Sequence, residues 1–531
     1  MARIFIDGMR AVGSGRREVF IGLISPIGID LAGVTDALTQ AFRTVAYKTN
    51  TIRLTDFLTD TKQWFDLDYK GEFDRYKKYI AAGDQLCEMA GRRDAFALYG
   101  MTRLIAEYPD RNENVPTDVV HIFRQIKRTE EIETLREVYG SNILFVACHA
   151  SRQQRVTNLV NKLLSSERSL DRNSLEASAL NIIGTDANER DNPNGQRVLD
   201  CYAHADFVLD CSTHADLVRS SERLVQAFFG YPFISPTRDE YCAYVAKSAS
   251  FRSSDLSRQV GAAIFGESCE IISLGCNEVP AAGGGTYWEE GPKDFRDFRV
   301  GHDSNYKVKT DMVRDFMLRL QESGWLADRF GDHSPDDLVR RALDDKGDTP
   351  GPLSRAMIND VIEYGRMVHA EMNALTDAAR FRRSTAGGTL FCTTMPCHLC
   401  TKLIIAAGIT RVVFIEPYYK SLVGELYDDS VSINEPFESG KVSFEPLKGV
   451  TPNAFMLVFR KGKRKSGSGV AQRWDRDAAE PLFTTSFAYY PQAELRLTAE
   501  LGQAVFEIAG AKTPTPAGEP GPVDEPENGK A

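Results

Sequence analysis

No segment of this 531-residue chain approaches the roughly eighteen consecutive apolar residues of a membrane-spanning helix. The opening residues Met1-Ala2-Arg3-Ile4-Phe5 also lack the long apolar core of a secretory signal. Both absences lead us to expect a cytoplasmic protein with no membrane partner. The ten cysteines are scattered without the spacing of a disulfide framework, which argues against a small secreted scaffold and agrees with a reducing compartment. Positive charge is not in excess either. The formal charge is −10, so the basic stripe of a general polynucleotide binder is not evident, while small anionic nucleotides stay open as ligands. What is present is ordinary for a globular chain, with 42% hydrophobic and 26% charged residues. The length exceeds one typical core, so two or three domains are expected.

A further absence lies in the first domain, expected over 18–235 after an N-terminal extension of 1–17. Glu18 to Ile24 reads as a buried strand, Ser25-Pro26-Ile27-Gly28-Ile29-Asp30 as a loop, and Leu31 to Phe42 as a helix. A strand, loop and helix in that order can cradle phosphate at the helix N-terminus. Aligned with a Walker loop, however, the defining positions become Ser25, Asp30, Leu31 and Ala32, so the glycines, the lysine and the hydroxyl are missing. Hydrolysis by the usual route is therefore not expected, and Asp30 would repel a phosphate. Gly22, Ser25, Gly28 and Asp30 are the candidate nucleotide loop. Strands are expected at Val119–Phe123, Asn142–Cys148 and Ala205–Asp210, separated by helices, which implies a parallel sheet covered on both faces. This pattern resembles the P-loop nucleotide kinase superfamily. Arg124, Lys127, Arg128, Arg152 and Arg155 follow the strands; they suit phosphate binding or plain solvation equally.

The chemistry lies in the second half. His369-Ala370-Glu371 is followed, twenty-eight residues beyond that His, by the first cysteine of Pro396-Cys397-His398-Leu399-Cys400. A lone CxxC is shared by redox sites and zinc knuckles, but neither explains a glutamate two residues after a histidine. His369, Cys397 and Cys400 supply three zinc ligands and leave the fourth position of a tetrahedral ion open, which marks a catalytic rather than a structural site. Glu371 is then the proton shuttle beside a water whose pKa zinc lowers to about 7. This H-x-E and P-C-x-x-C pair is the signature of zinc-dependent nucleobase deaminases. Residues from His369 onward read as a helix, Gly388 to Thr394 as a strand, Cys397 to Ala407 as a second helix and Arg411 to Ile415 as the next strand. The two cysteines thus fall at a helix N-terminus, whose dipole favours thiolate.

Upstream, Gln259-Val260-Gly261-Ala262 and Gly275-Cys276-Asn277-Glu278-Val279-Pro280 read as parts of a hairpin. With the two zinc motifs they resemble the cytidine and deoxycytidylate deaminase family, in its deoxycytidylate branch, over Tyr241 to Phe459. The resemblance implies a three-layer α/β/α domain, expected over 236–460 with an insertion at 281–355. It also implies substrate contacts by Asn277, which alternatively only makes the turn, and by Tyr418 and Tyr419, for which core packing is the alternative. His302 in the insertion reads as an ordinary exposed residue, with a contact to substrate or to a second metal as the alternative, and the insertion's glycine-rich turn as a phosphate contact or a polar loop. A linker and short helix are expected over 461–510, with the helix near Ala493–Ile508, and a disordered tail over 511–531.

The two-domain order resembles the bacterial anti-phage dCTP deaminases. That resemblance implies conversion of dCTP, and of dCMP, to uracil nucleotides and depletion of the dCTP pool as antiviral defence. It also implies a regulatory nucleotide site in the first domain, a regulatory small RNA and a homo-oligomer. A housekeeping dCMP deaminase with a regulatory domain, and a nucleotide-sensing signalling protein, are the alternatives.

Overall fold

The computed structural model describes residues 18–109, 117–166, 171–189, 192–290, 293–344, 351–354, 356–418, 421–434, 438–483 and 490–512, with 503–512 as backbone alone. The expected N-terminal extension, nearly all of the tail, and Tyr419 lie outside the described residues.

Two six-stranded α/β sheets organise the chain. The first contains β1 (Val19–Ile24), β2 (Lys48–Arg53), β3 (Val119–Ile126), β4 (Ile143–His149), β5 (Phe207–Asp210) and β12 (Gly449–Val450), in the order β12-β5-β4-β1-β3-β2. All its pairings are parallel except β12 on β5. The second contains β6 (Gly261–Phe265), β7 (Ile271–Cys276), β8 (Thr389–Thr394), β9 (Arg411–Glu416), β10 (Val431–Ile433) and β11 (Val442–Pro446), in the order β10-β11-β9-β8-β6-β7. Here β6 runs antiparallel to both its neighbours, and the rest are parallel.

Strand alternation divides each sheet between two cores. In β1, Phe20 and Ile24 face the core built on the helix Ala95–Glu107, whereas Val19, Ile21 and Leu23 face the helices Leu31–Arg43 and His214–Phe228. In the second sheet Ala262, Ile264, Leu390 and Cys392 pack on the helices Ala370–Arg380 and His398–Ala406. Ala263, Phe265 and Phe391 pack on the helix Arg238–Ser250 from the opposite side. No described helix is long and apolar enough to cross a membrane.

The chain does not leave the first sheet where the sequence places the boundary. Three residues after β11, β12 joins the first sheet through Gly449 and Val450, and Ala454, Val458, Ala479 and Phe483 are buried in that sheet's core. The segment expected as a linker and short helix ends in a helix of 23 residues, Tyr490–Lys512, with Tyr490, Leu497 and Leu501 buried against β1's other face. Assignment of 449–460 to the second domain therefore yields to hydrogen bonding and burial in the first. Glu240 fixes the junction: its carboxylate accepts from Arg223, from the Thr237 amide and from the Val450 amide.

Candidate active site

Two close approaches of backbone to backbone set the zinc helix on its sheet. Gly275 in β7 lies under the helix Ala370–Arg380, where a Cβ would overlap the Ala370 carbonyl and the Ala374 amide nitrogen. Gly261 in β6 lies likewise under the helix Arg238–Ser250. Asn373 accepts from the Cys276 amide at 3.2 Å, and Ser273 donates to the Ala374 carbonyl at 2.7 Å. These contacts fix both the height and the rotation of the helix. Just ahead of it, Val368 bridges Glu278, which ties His369 to the turn that carries Asn277.

His369 is the N-cap residue of that helix, and Cys397 is the N-cap of His398–Ala406. The His369 Nδ1 atom lies 3.4 Å from Cys397 Sγ and 3.3 Å from Cys400 Sγ. Zinc bonds of about 2.0–2.1 Å to nitrogen and 2.3 Å to sulfur at a tetrahedral angle require a separation of about 3.5 Å, so the donors fit. They form the one group of potential ligands of this kind among the described residues. Glu371 is buried, with Oε2 accepting from Cys400 Sγ at 3.3 Å. His398 turns away toward Glu363, and His302 is exposed.

The charges are arranged for metal binding. A hydrogen bond from Cys400, then one from His369, pushes the Cys397 thiol down to about 4 against its burial. Donation to Cys397 pushes Cys400 up, and the same thiolate raises His369. Burial first, and the Cys397 charge next, raise the Glu371 carboxyl, which makes it a better proton acceptor than an exposed glutamate.

His369, Glu371 and Cys397 line a cavity of about 230 Å³, together with Asn277, Arg258, Thr394 and Tyr418. The insertion closes one side: Asn305 donates to the Val361 carbonyl and accepts from the Tyr364 amide.

Residues 236–416 match a family profile. It is the cytidine and deoxycytidylate deaminase zinc-binding region. Deoxycytidylate deaminase of Enterobacteria phage T2 is 42% identical over 62 residues, which cover 12% of this chain and 32% of that protein. ComE operon protein 2 of Bacillus subtilis (strain 168) gives the same identity over 62 residues, with shares of 12% and 32%. The chain thus spans about a third of the length of these relatives. Among solved structures, the dCMP deaminase of cyanophage S-TIM5 in complex with dCMP and dUMP is 18% identical, covers 40% of this chain and 99% of that chain, and has a TM-score of 0.21. The donor triad lies within the residues that match this zinc-binding profile, and its spacing fits a zinc ion.

The structure qualifies other residues singled out in the sequence. Asn277 borders the cavity, but its Nδ2 donates to Asp255 and to the Arg258 carbonyl, each at 2.9 Å, and its Oδ1 accepts from the Val260 amide at 2.7 Å. Its amide holds the 255–260 loop. Tyr418 lines the cavity with Arg258 over its ring, 5.3 Å from the centroid. Arg258 was not picked out by sequence, although it directly precedes the Gln259-Val260-Gly261-Ala262 motif. It forms no ion pair among the described residues and is the cation that the loop presents to the cavity.

The candidate nucleotide loop is filled by the protein itself. Gly22 lies beneath Phe145 and Ile126 and is glycine for packing, whereas Gly28 lies beneath the Arg155 backbone and also has φ +94. The Ile27 amide donates to Asp186 at 2.6 Å. The Asp30 carboxylate caps the next helix through the Ala32 and Gly33 amides, in the position a bound phosphate would take. The Ser25 carbonyl accepts from Lys127, which is itself paired with Asp186.

Proposed function

We propose that the protein is a zinc-dependent hydrolytic deaminase of free deoxycytidine nucleotides, which exchanges the C4 amine of cytosine for oxygen and releases ammonia. The observation that carries this reading is the buried Glu371 carboxylate, 3.3 Å from Cys400 Sγ, on the floor of a cavity just large enough for a pyrimidine. Zinc held by His369, Cys397 and Cys400 supplies Lewis-acid activation of water near neutral pH. Glu371 takes a proton from the attacking water and delivers it to N3 of the ring, then takes the second proton from the new C4 hydroxyl and passes it to the departing amine, which leaves as ammonia. Tyr418 and Arg258 form the outer wall, where Arg258 attracts the substrate phosphate and Asn277 keeps its loop in register. An anionic nucleotide rather than a nucleoside fits this placement of a cation that has no ion pair among the described residues.

Replacement of Glu371 by Gln is expected to leave zinc content unchanged by mass spectrometry while deamination falls at least a hundredfold, the lower end for a general acid–base. Full zinc with undiminished ammonia release from dCTP and dCMP would remove Glu371 from the mechanism. Ammonia release from dCTP, dCMP, deoxycytidine and single-stranded DNA sets the substrate level. We take dCTP, with dCMP also turned over, as the substrate of a cytoplasmic enzyme that depletes the phage's dCTP supply, and we read the first unit as its regulatory part. Exclusive dCMP turnover would instead make it a salvage enzyme, and activity on DNA alone would make it a polynucleotide editor.

A further inference from the structure

The larger cavity of the molecule is not the zinc site. It measures about 970 Å³ and lies at the carboxyl ends of β1, β2 and β3, between the loop 25–30 and the helices Glu72–Ala90 and Arg152–Ser166. Ligands of open α/β sheets bind at such strand ends. In the loop the Ile27 and Ile29 amides are bonded to Asp186 and to the Pro26 carbonyl, and the Asp30 carboxylate takes the Ala32 and Gly33 amides of the next helix. The opposite wall differs.

Arg53 and Arg124 are the last in-register pair of the parallel strands β2 and β3, so two guanidinium groups leave the sheet side by side on one face. Neighbouring like charges on adjacent strands repel. Neither arginine makes an ion pair among the described residues, and the buried Nε of Arg124 has no hydrogen-bond partner. The chain nevertheless adopts a costly conformation to put Arg124 there. The next residue, Gln125, has φ +80, at the point where the register of β3 against β1 slips by one residue. A bulge at a strand end re-aims the adjacent side chain, and positive φ in a residue with a Cβ stores strain of the kind found at ligand sites. Of the other basic residues of the wall, Lys127 pairs with Asp186, Arg128 with Asp84 and Arg75 with Glu72, while Lys162 lies at the Tyr76 hydroxyl. Of the carboxylates lining the space, Glu131 accepts from the Lys127 and Arg128 amides, Asp30 caps a helix, and Asp56 and then Asp30 lie within electrostatic reach of Arg124. Across the cavity the helix Glu72–Ala90 presents Tyr76 and Tyr79, with Phe96 behind.

We propose that this cavity is a second ligand site, which takes a nucleotide by its phosphate on Arg53 and Arg124 and by its planar base against Tyr76 and Tyr79. The site is separate from the zinc cavity, and its anchor is the arginine pair rather than the loop after β1.

Calorimetric titration of the full-length zinc-loaded protein tests this with inorganic phosphate, nucleosides, and purine and pyrimidine nucleoside mono- and triphosphates. Wild type is expected to bind phosphorylated purines, which have no C4 cytosine amine, while nucleosides without phosphate bind at least tenfold more weakly. Arg53→Gln and Arg124→Gln should each weaken purine nucleotides about tenfold or more, the usual loss for one charge-assisted hydrogen bond. Arg124→Lys should recover part of the affinity, and Tyr76→Ala should weaken nucleotides but not inorganic phosphate. Arg258→Gln in the zinc cavity should leave purine binding unchanged. Arg53 is exposed, so Arg53→Gln remains informative where Arg124→Gln impairs folding. Purine nucleotides that do not bind, that bind equally to Arg53→Gln, or that are lost only in Arg258→Gln would overturn the proposal.

Discussion

His149 ends β4 with its ring buried, and that burial, helped by Lys448 and Arg155 and opposed by Asp210, pushes its pKa from 6.5 down to about 3. The folded imidazole stays neutral at pH values where the unfolded chain takes up a proton. Stability is therefore intact above about pH 6.5 and falls as the pH drops through the interval toward 3, by up to about 1.4 kcal/mol per pH unit. Urea unfolding at pH 7.5, 6.0 and 5.0 should show this slope, and His149→Asn should flatten it by up to one proton. An unchanged slope in His149→Asn would exclude the residue as its source. At this scale, chemistry that needs fixed residue types was legible in the sequence. His369, Glu371, Cys397 and Cys400 converge as the spacing of their motifs required. Asn277 was only half legible, because a motif reveals that an amide is needed but not that its hydrogens go to Asp255 and the Arg258 carbonyl. Arg258 was invisible because an arginine before a strand looks the same whether it serves a cavity or solvent.

Among elements, the helix Ala370–Arg380 depends most on a residue outside itself. Gly275 has no side chain because the Ala370 carbonyl and Ala374 amide occupy that space. A methyl group there must lift the helix, which carries Glu371 and begins at His369. Overpacking of this kind costs about 1–3 kcal/mol, and the displacement acts directly on the donor geometry. Gly275→Ala is thus expected to weaken zinc at least tenfold in chelator competition, whereas Gly462→Ala, with nothing within 4 Å, should not. Retention of wild-type zinc affinity in Gly275→Ala would show that the helix can shift without moving His369. Element types and order were largely legible, since alternating strands and caps are local signals: the run from Leu31 and the helix after Cys397 appear within a residue or two of their expected bounds. For the loop 25–30 the sequence already set Asp30 against a phosphate, while only the folded contacts reveal that Asp30 caps the next helix and that Asp186 takes the Ile27 amide.

In the whole molecule the chain returns from the second sheet to the first, an arrangement no local pattern announced. β12 and the helix Tyr490–Lys512 return to the first sheet through long-range burial, and a flexible-looking linker composition gives no hint of where the chain docks afterward. The first unit also brings Asp200 within electrostatic reach of Arg258, and His204 and Arg258 both act on Glu416 at the end of β9. Asp200 therefore offsets part of the positive charge that the zinc cavity offers to a phosphate. Unit charges about 4–10 Å apart in a water-like medium interact by about 0.4–1 kcal/mol, which corresponds to about two- to fivefold in affinity. If the substrate is a deoxycytidine nucleotide, Asp200→Asn should lower KM by this factor for dCMP and dCTP at low ionic strength. It should leave KM for deoxycytidine unchanged, because no phosphate is present for Arg258 to attract. The gain should fade as salt shortens the Debye length below the separation of the charges. Equal changes for nucleotide and nucleoside, or a gain that persists in 1 M salt, would mean that Asp200 acts on the site through packing rather than through the charge of Arg258.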